Sequence, residues 1–297
     1  MTNIFDYIKW RDIEFEKVEF NEVDNLILSR ISYFPFDNLI NKNEKITLNQ
    51  AYKRLKETSN KLIFLQKEDM DFFPVLANSK RFGNIILSNY INKVEREKEK
   101  QFSAITINLP NKIMYIAYRG TDNTIIGWKE DFNMSFQDFI PSQIDAVKYI
   151  EDVTKNNKKK LIIGGHSKGG NLAVYAATYC NKKIKDRILA VFNNDGPGFQ
   201  ENITNSKEYK EVISKIHTYL PQTSIIGRLL NHKEKCIIIK STQKGIMQHD
   251  LYTWQVLGDK FIRDKLTNFS EFIDGTITRM AKRGKNRTKR KICRYFI

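Results

Sequence analysis

Apolar positions recur at two different spacings along the chain, and the spacing changes near residue 100. Over 21–33, Val23, Leu26, Ile27 and Ile31 fall at helical intervals, and the run halts before Pro35, whose ring disfavours helix in the residue ahead of it. Thr47 and Gln50 carry the signature of a capping box for a helix reaching Thr58. A third helix is predicted over 81–93, so the first hundred residues read as mostly helical cover for one edge or face of a core. The charged stretch 93–100 reads as a linker. Beyond it the period shortens. Segments 102–109 and 112–118 are rich in β-branched and aromatic residues and are joined by Pro110-Asn111, the pattern of a hairpin. Helix signals over 142–153 (Ile144, Val147, Ile150, Val153) precede a short apolar strand at 160–164 and a helix at 168–180. Strands are expected at 187–193, 212–219 and 235–240, with a last helical stretch at 259–276. Strands alternating with helices predict an α/β protein with a largely parallel sheet.

Composition sharpens this outline. With 297 residues, 41% of them hydrophobic, the chain is long enough to bury one large core or two modest ones. Its longest apolar runs, such as Leu161 to Ile163 and Ile237 to Ile239, are strand-sized, so no membrane-spanning helix is expected. The first ten residues lack the basic start, apolar stretch and small-residue cleavage site of a secretory signal. Cys180, Cys236 and Cys293 stand too far apart for paired metal spacing and form no disulfide framework, which points to a reducing, cytoplasmic setting. The net charge of +16 invites an anionic partner, but nine Lys or Arg and no acid fall within 279–297, and the remainder carries only +7. The chain therefore divides into a helical region over 1–100, able to serve as a lid, a catalytic core over 101–278 and a disordered basic tail over 279–297. The tail suits an anionic membrane surface, and nucleic acid is not an expected partner.

The sharpest chemical feature is Gly165-His166-Ser167-Lys168-Gly169, a G-x-S-x-G set directly after a predicted strand and before a predicted helix. That turn strains the backbone at serine and tolerates only glycine-sized neighbours two residues to either side, which Gly165 and Gly169 satisfy. It presents the Ser167 hydroxyl at the carboxyl end of the sheet and aims the Lys168 amide at a developing oxyanion. A serine nucleophile needs an imidazole base, and the chain has only four histidines. His166 adjoins the serine, where side chains diverge, and His217 falls within a strand. His249, in the loop after the last main strand, is favoured over His232. Asp195, just past a strand end in Asn194-Asp195-Gly196-Pro197-Gly198, is the preferred orienting acid, with Asp250 in reserve. A second oxyanion amide is assigned to Thr121 in Tyr118-Arg119-Gly120-Thr121-Asp122, with Asp131 as a partner for its hydroxyl.

Taken together, Tyr-Arg-Gly-Thr at 118–121, Trp128, Asp131 and Gly-His-Ser-Lys-Gly-Gly at 165–170 resemble class 3, fungal-type lipases. Asp24 to Leu28, Gly169 to Ala173, Asp195 to Phe199 and Gln248-His249-Asp250 extend the likeness to the Mbeg-like family of bacterial hydrolase-fold proteins, over about residues 1–275. The resemblance implies an α/β-hydrolase fold, Ser167 as nucleophile, His249 as base and Thr121 at the oxyanion hole. One departure stands out. Class 3 lipases supply the acid after the second strand beyond the elbow, and there this chain has Ser224. The expected protein is a serine hydrolase of carboxylic esters, acting on a lipid or another apolar acyl ester and needing no cofactor. An acyltransferase with the same triad, and a noncatalytic module binding an anionic membrane or nucleic acid through its tail, are the alternatives.

Overall fold

The computed structural model describes residues 2–41, 43–58, 64–95, 97, 100–121 and 139–266. Eight strands form one sheet: β1 (Lys45–Thr47), β2 (Ile86–Glu95), β3 (Lys100–Leu109), β4 (Ile113–Tyr118), β5 (Lys160–His166), β6 (Ile188–Asn194), β7 (Ile216–Pro221) and β8 (Cys236–Ile239). They lie side by side in chain order. The pairings from β1 to β4 are antiparallel and those from β4 to β8 parallel.

That order has a steric consequence. Parallel strands connected by right-handed crossovers, each stepping in the same direction, place every connecting helix on the same face. The face so covered carries Met114, Ile116, Tyr118, Leu161, Ile163 and Val191, packed with the crossover segments. The opposite face, with Tyr115, Ala117, Ile162, Phe192, Tyr219 and Ile239, receives no crossover helix among the described residues and is closed by the N-terminal part of the chain. Its helices are α1 (Ile4–Trp10), α2 (Glu22–Ile31), α3 (Leu48–Glu57) and α4 (Glu68–Asn78). On the crossover face lie α5 (Pro141–Thr154) and α6 (Lys168–Tyr179). Residues of 251–261, including the β9 (Val256–Leu257) and β10 (Lys260–Phe261) hairpin, complete the N-terminal layer.

Helix α2 is the centre of that layer. Asn21 caps it through the amides of Val23 and Asp24, and Asp24 returns the bond to the Asn21 amide. Every residue from Val23 to Ile31 is buried, as expected of a helix enclosed on all sides. Asp24 also receives the Arg81 guanidinium and the Tyr7 hydroxyl, and Arg81 spends its other donors on the carbonyls of Ile13, Val18 and Glu19. Replacing Arg81 by methionine strands the Asp24 carboxylate in the core and is expected to cost about 3–5 kcal/mol, read as a lower urea midpoint. A loss under about 1 kcal/mol would show that the pair does not hold the layer.

Four expectations are corrected. The segment read as a helix over 81–93 is largely β2, and its alternation is hidden by a bulge between Ser88 and Ile91, where Asn89 adopts φ 53°. Within the stretch 93–100, Lys93 to Glu95 end β2 and Lys100 begins β3, with Glu95 paired to Lys100, and Lys100 also meets Asp145 at 2.7 Å. The 212–219 strand begins at Ile216, because Val212 ends a short helix. The helix expected over 259–276 is strand at Lys260–Phe261, and 267–276 lies outside the described residues. An additional helix, α4, carries Pro74 within it, a residue that argues against helix when read from sequence. The first hundred residues thus contribute β1 and β2 to the common sheet as well as helices to the common core.

Candidate catalytic site

Between the end of β5 and the start of α6 stands Ser167, at φ 58° and ψ −135°. L-residues avoid this region, and a serine persists in it only when its surroundings leave no alternative. The surroundings here are glycines. A Cβ on Gly165 would lie 2.3 Å from the Gly169 carbonyl, and one on Gly169 would lie 2.1 Å from the Tyr118 oxygen, so strand and helix touch backbone to backbone. The Ser167 amide is tied to the Asn194 carbonyl at 2.9 Å, and its own carbonyl accepts the Gly170 amide at 2.9 Å.

Behind the turn lies a buried polar cluster. The Asn194 side-chain amide donates to the Gly165 carbonyl and the Ser29 hydroxyl, each at 3.1 Å, and its oxygen accepts from Asn25 at 2.9 Å. Tyr115 closes the cluster on Asn25 at 2.8 Å. The N-terminal layer therefore grips the strand end that presents Ser167. Sequence reading misses these residues because Asn25 and Ser29 look like ordinary polar positions of a helix until α2 is seen to be buried all round.

One strand over, Asp195 follows β6 at φ 53°, its amide held by the Tyr219 carbonyl at 2.9 Å. Its carboxylate is buried, and Oδ2 lies 2.7 Å from His249 Nδ1. A carboxylate only accepts, so Nδ1 carries the hydrogen and Nε2 is left as the basic nitrogen. The other oxygen, Oδ1, accepts the Ser224 hydroxyl, which itself receives the Gly227 amide at 3.1 Å. Ser224 thus stands against the carboxylate whose place it was expected to leave empty. His249 ends a 3-10 turn, Gly245–His249, anchored by buried Gln248 through Thr223 and Trp254. Its side chain keeps 26% exposure.

The other histidines are committed elsewhere. His166 donates from Nε2 to the His249 carbonyl at 2.8 Å, with the two rings 4.5 Å apart. Burial, reinforced by the neighbouring charges of His249 and Arg30, holds His166 well below its usual 6.5, so it stays neutral. Unfolding frees it to take a proton, and native stability is therefore lost as pH falls below about 6.5, by up to about 1.4 kcal/mol per pH unit. His166→Gln is expected to flatten that part of the profile of urea midpoint against pH between 7.5 and 5; an unchanged slope would place the sensitivity elsewhere. His217 stacks on Phe192. His232 bridges Glu234 at 2.8 Å and the Gly227 carbonyl at 2.7 Å. Burial would raise the Glu234 carboxyl, but the bond and charge of His232 with the hydroxyls of Thr218 and Tyr209 hold it at about 2. His232, Glu234 and Cys236 place donors within 4.8 Å of one another. Their bonds make them a clamp on the Gly227 loop, and burial pushes the Cys236 thiol up to about 12, away from the thiolate a metal prefers.

Asp250, the reserve acid, caps the next turn through the Tyr252 amide at 3.0 Å. Lys168 begins α6, and its side chain reaches the Gln101 carbonyl and amide oxygen at 3.1 and 3.0 Å. Thr121 lies three residues beyond the end of β4, while Trp128 and Asp131 fall outside the described residues, as does the basic tail.

A parallel-stranded sheet whose carboxyl ends present a strained serine, an aspartate-bound imidazole and a helix N-terminus defines a lipase-like α/β-hydrolase fold. Residues 76–296 match the Mbeg1-like family, and the chain belongs to it. Solved structures similar to it include M37 lipase, at 16% identity and TM-score 0.45 over 69% of this chain and 68% of that one. A propeptide complex of Rhizomucor miehei lipase matches at 16% identity and TM-score 0.38, over 52% of this chain and 57% of that one. A fungal lipase-inhibitor complex matches at 15% identity and TM-score 0.38, over 51% and 67%. A search of curated proteins finds no match. Among the described residues no helix is long and apolar enough to cross a membrane.

Proposed function

We propose that the protein is a serine hydrolase of carboxylic esters with apolar acyl groups. The observation that carries this reading is the 2.7 Å contact of His249 Nδ1 with buried Asp195, on the loop that follows the strand beside the Ser167 turn. The Ser167 oxygen attacks the ester carbonyl while its proton passes to His249 Nε2, and Asp195 stabilises the imidazolium that forms. The tetrahedral oxyanion is held by the Lys168 and Thr121 amides. Collapse returns the proton to the leaving alcohol and leaves an acyl-serine, which water, deprotonated by the same imidazole, then releases as the acid. No cofactor enters this sequence.

An apolar acyl group is supported by Ile246 and Met247, which stand 52% and 61% exposed on the turn that ends at His249. Single exposed apolar residues are commonplace, but two together beside the proposed base offer a surface for an acyl chain. The test is labelling by a fluorophosphonate probe, followed by p-nitrophenyl esters of increasing acyl length. Labelling that vanishes in Ser167→Ala, with turnover rising from short to medium chains, is the expected result. A folded wild-type protein that resists the probe would overturn the reading.

A further inference from the structure

Tyr33 lies just beyond α2, in the N-terminal layer, and its hydroxyl reaches the carboxyl ends of β4 and β5. It accepts the Gly120 amide at 3.0 Å and lies 3.1 Å from the His166 carbonyl, to which it donates. His166 Nδ1 is 3.4 Å away; with the ring's hydrogen on Nε2, that nitrogen also faces the hydroxyl proton as an acceptor. One buried hydroxyl therefore joins two backbone segments, the loop that follows β4 and the turn that carries Ser167.

The fit around it is tight. A Cβ built on Gly120 would stand 2.3 Å from the Tyr33 oxygen, 2.6 Å from the His166 carbonyl and 3.0 Å from the Ser167 Cβ. Gly120 is thus pressed directly against the serine residue, and the tyrosine oxygen occupies the angle between them. Because the Gly120 amide is committed to Tyr33, the oxyanion contact from this loop falls to the next amide, that of Thr121.

We propose that Tyr33 is a positioning residue for the oxyanion hole, a strut that sets the spacing between the Gly120-Thr121 loop and the Ser167 turn. This rests on the ester-hydrolase reading above. Oxyanion donors act only when they meet the place the oxygen will occupy in the transition state, and a small displacement of one donor lowers turnover without weakening substrate binding. The ring of Tyr33 has a separate task, since the Arg30 guanidinium packs over it at 4.6 Å, so Tyr33→Phe removes the strut and keeps the packing.

The experiment compares wild type, Tyr33→Phe, Gly120→Ala and their double variant, with Tyr7→Phe as a control. Tyr7 is another buried tyrosine of the same layer, bonded to Asp24 at 2.7 Å and remote from the proposed machinery. Kinetics with a p-nitrophenyl ester are measured well below each melting temperature, together with inhibition by a trifluoromethyl ketone, whose adduct needs the hole. Tyr33→Phe is expected to lower kcat by about tenfold to a hundredfold with KM within about twofold, and to weaken the ketone in parallel. Gly120→Ala should do the same through the opposite partner, and the double variant should lose little more than either single one. Tyr7→Phe should lose stability and keep kcat. If Tyr33→Phe keeps wild-type kcat and ketone affinity, or loses them only in step with melting as Tyr7→Phe does, the strut is overturned while the hydrolase reading stands. Should Tyr33→Phe fail to fold, a folded Gly120→Ala with unchanged kcat and ketone affinity would overturn it as well. An inactive, unlabelled wild type removes the hydrolase reading and the strut with it.

Discussion

Ser167→Ala lowers ester turnover by about four to six orders of magnitude while the urea midpoint stays within about 1 kcal/mol of wild type. The expected loss is large because the proposed route runs through the Ser167 hydroxyl, and without it the imidazole of His249 is left to activate water. The fold is expected to survive because the strain at φ 58° is imposed by Gly165, Gly169 and the Asn194 carbonyl, and alanine meets the same backbone demand as serine. Burst kinetics and probe labelling on the purified variant check both halves. Turnover retained in a folded Ser167→Ala would remove the acyl-serine.

Asp195→Asn comes second, with kcat expected to fall by about ten-thousandfold and KM to change little. The reason lies in how the asparagine must sit. Ser224 donates its hydroxyl toward Oδ1, and the Gly227 amide fixes that hydroxyl from behind, so the amide oxygen of an asparagine takes the Ser224 side. Its NH2 then faces His249 Nδ1, which has to give up its hydrogen, and the imidazole turns its remaining N–H toward the serine it should deprotonate. Imidazole NMR on the variant reads the tautomer directly, and steady-state kinetics read the cost. An Asp195→Asn protein at wild-type rate, alongside an inactive Asp250→Asn, would transfer the orienting role to Asp250.

Ser224 also accounts for the departure from class 3 lipases. The loops after β6 and β7 meet at one point beside the imidazole, and a carboxylate delivered by either one arrives at that point. Here the β6 loop brings the carboxylate of Asp195, the proposed acid, and the β7 loop brings the Ser224 hydroxyl that bonds to it.

What was legible in the chain and what was not divides by the range of the forces involved. The glycines at 165 and 169, the strand before Ser167 and the helix after it are local, because backbone collisions within a five-residue turn leave few solutions. The hairpin at 102–118 and the capped start of α3 were legible for the same reason, since turn residues and capping side chains act over three or four positions. The β2 strand was hidden by one residue, Asn89, whose bulge breaks the alternation by which strands are recognised and leaves cross-strand pairing to β3 as the deciding force. Among four histidines the chain alone could rank His249 above His232; Glu234 and Gly227, two and five positions away, occupy His232, whereas the contact that distinguishes His249 comes from Asp195 across 54 positions. Tyr33 and Ser29 carry no motif, and Asn25, although within the family-like segment Asp24 to Leu28, shows no chemistry of its own in the sequence. They reach the Ser167 turn because, among the described residues, one face of the sheet is left without crossover helices, and the N-terminal layer that covers it brings its polar groups against the strand ends. Local sterics can be read from neighbours in the sequence, whereas the pairing of buried polar groups depends on which surfaces must be kept from water.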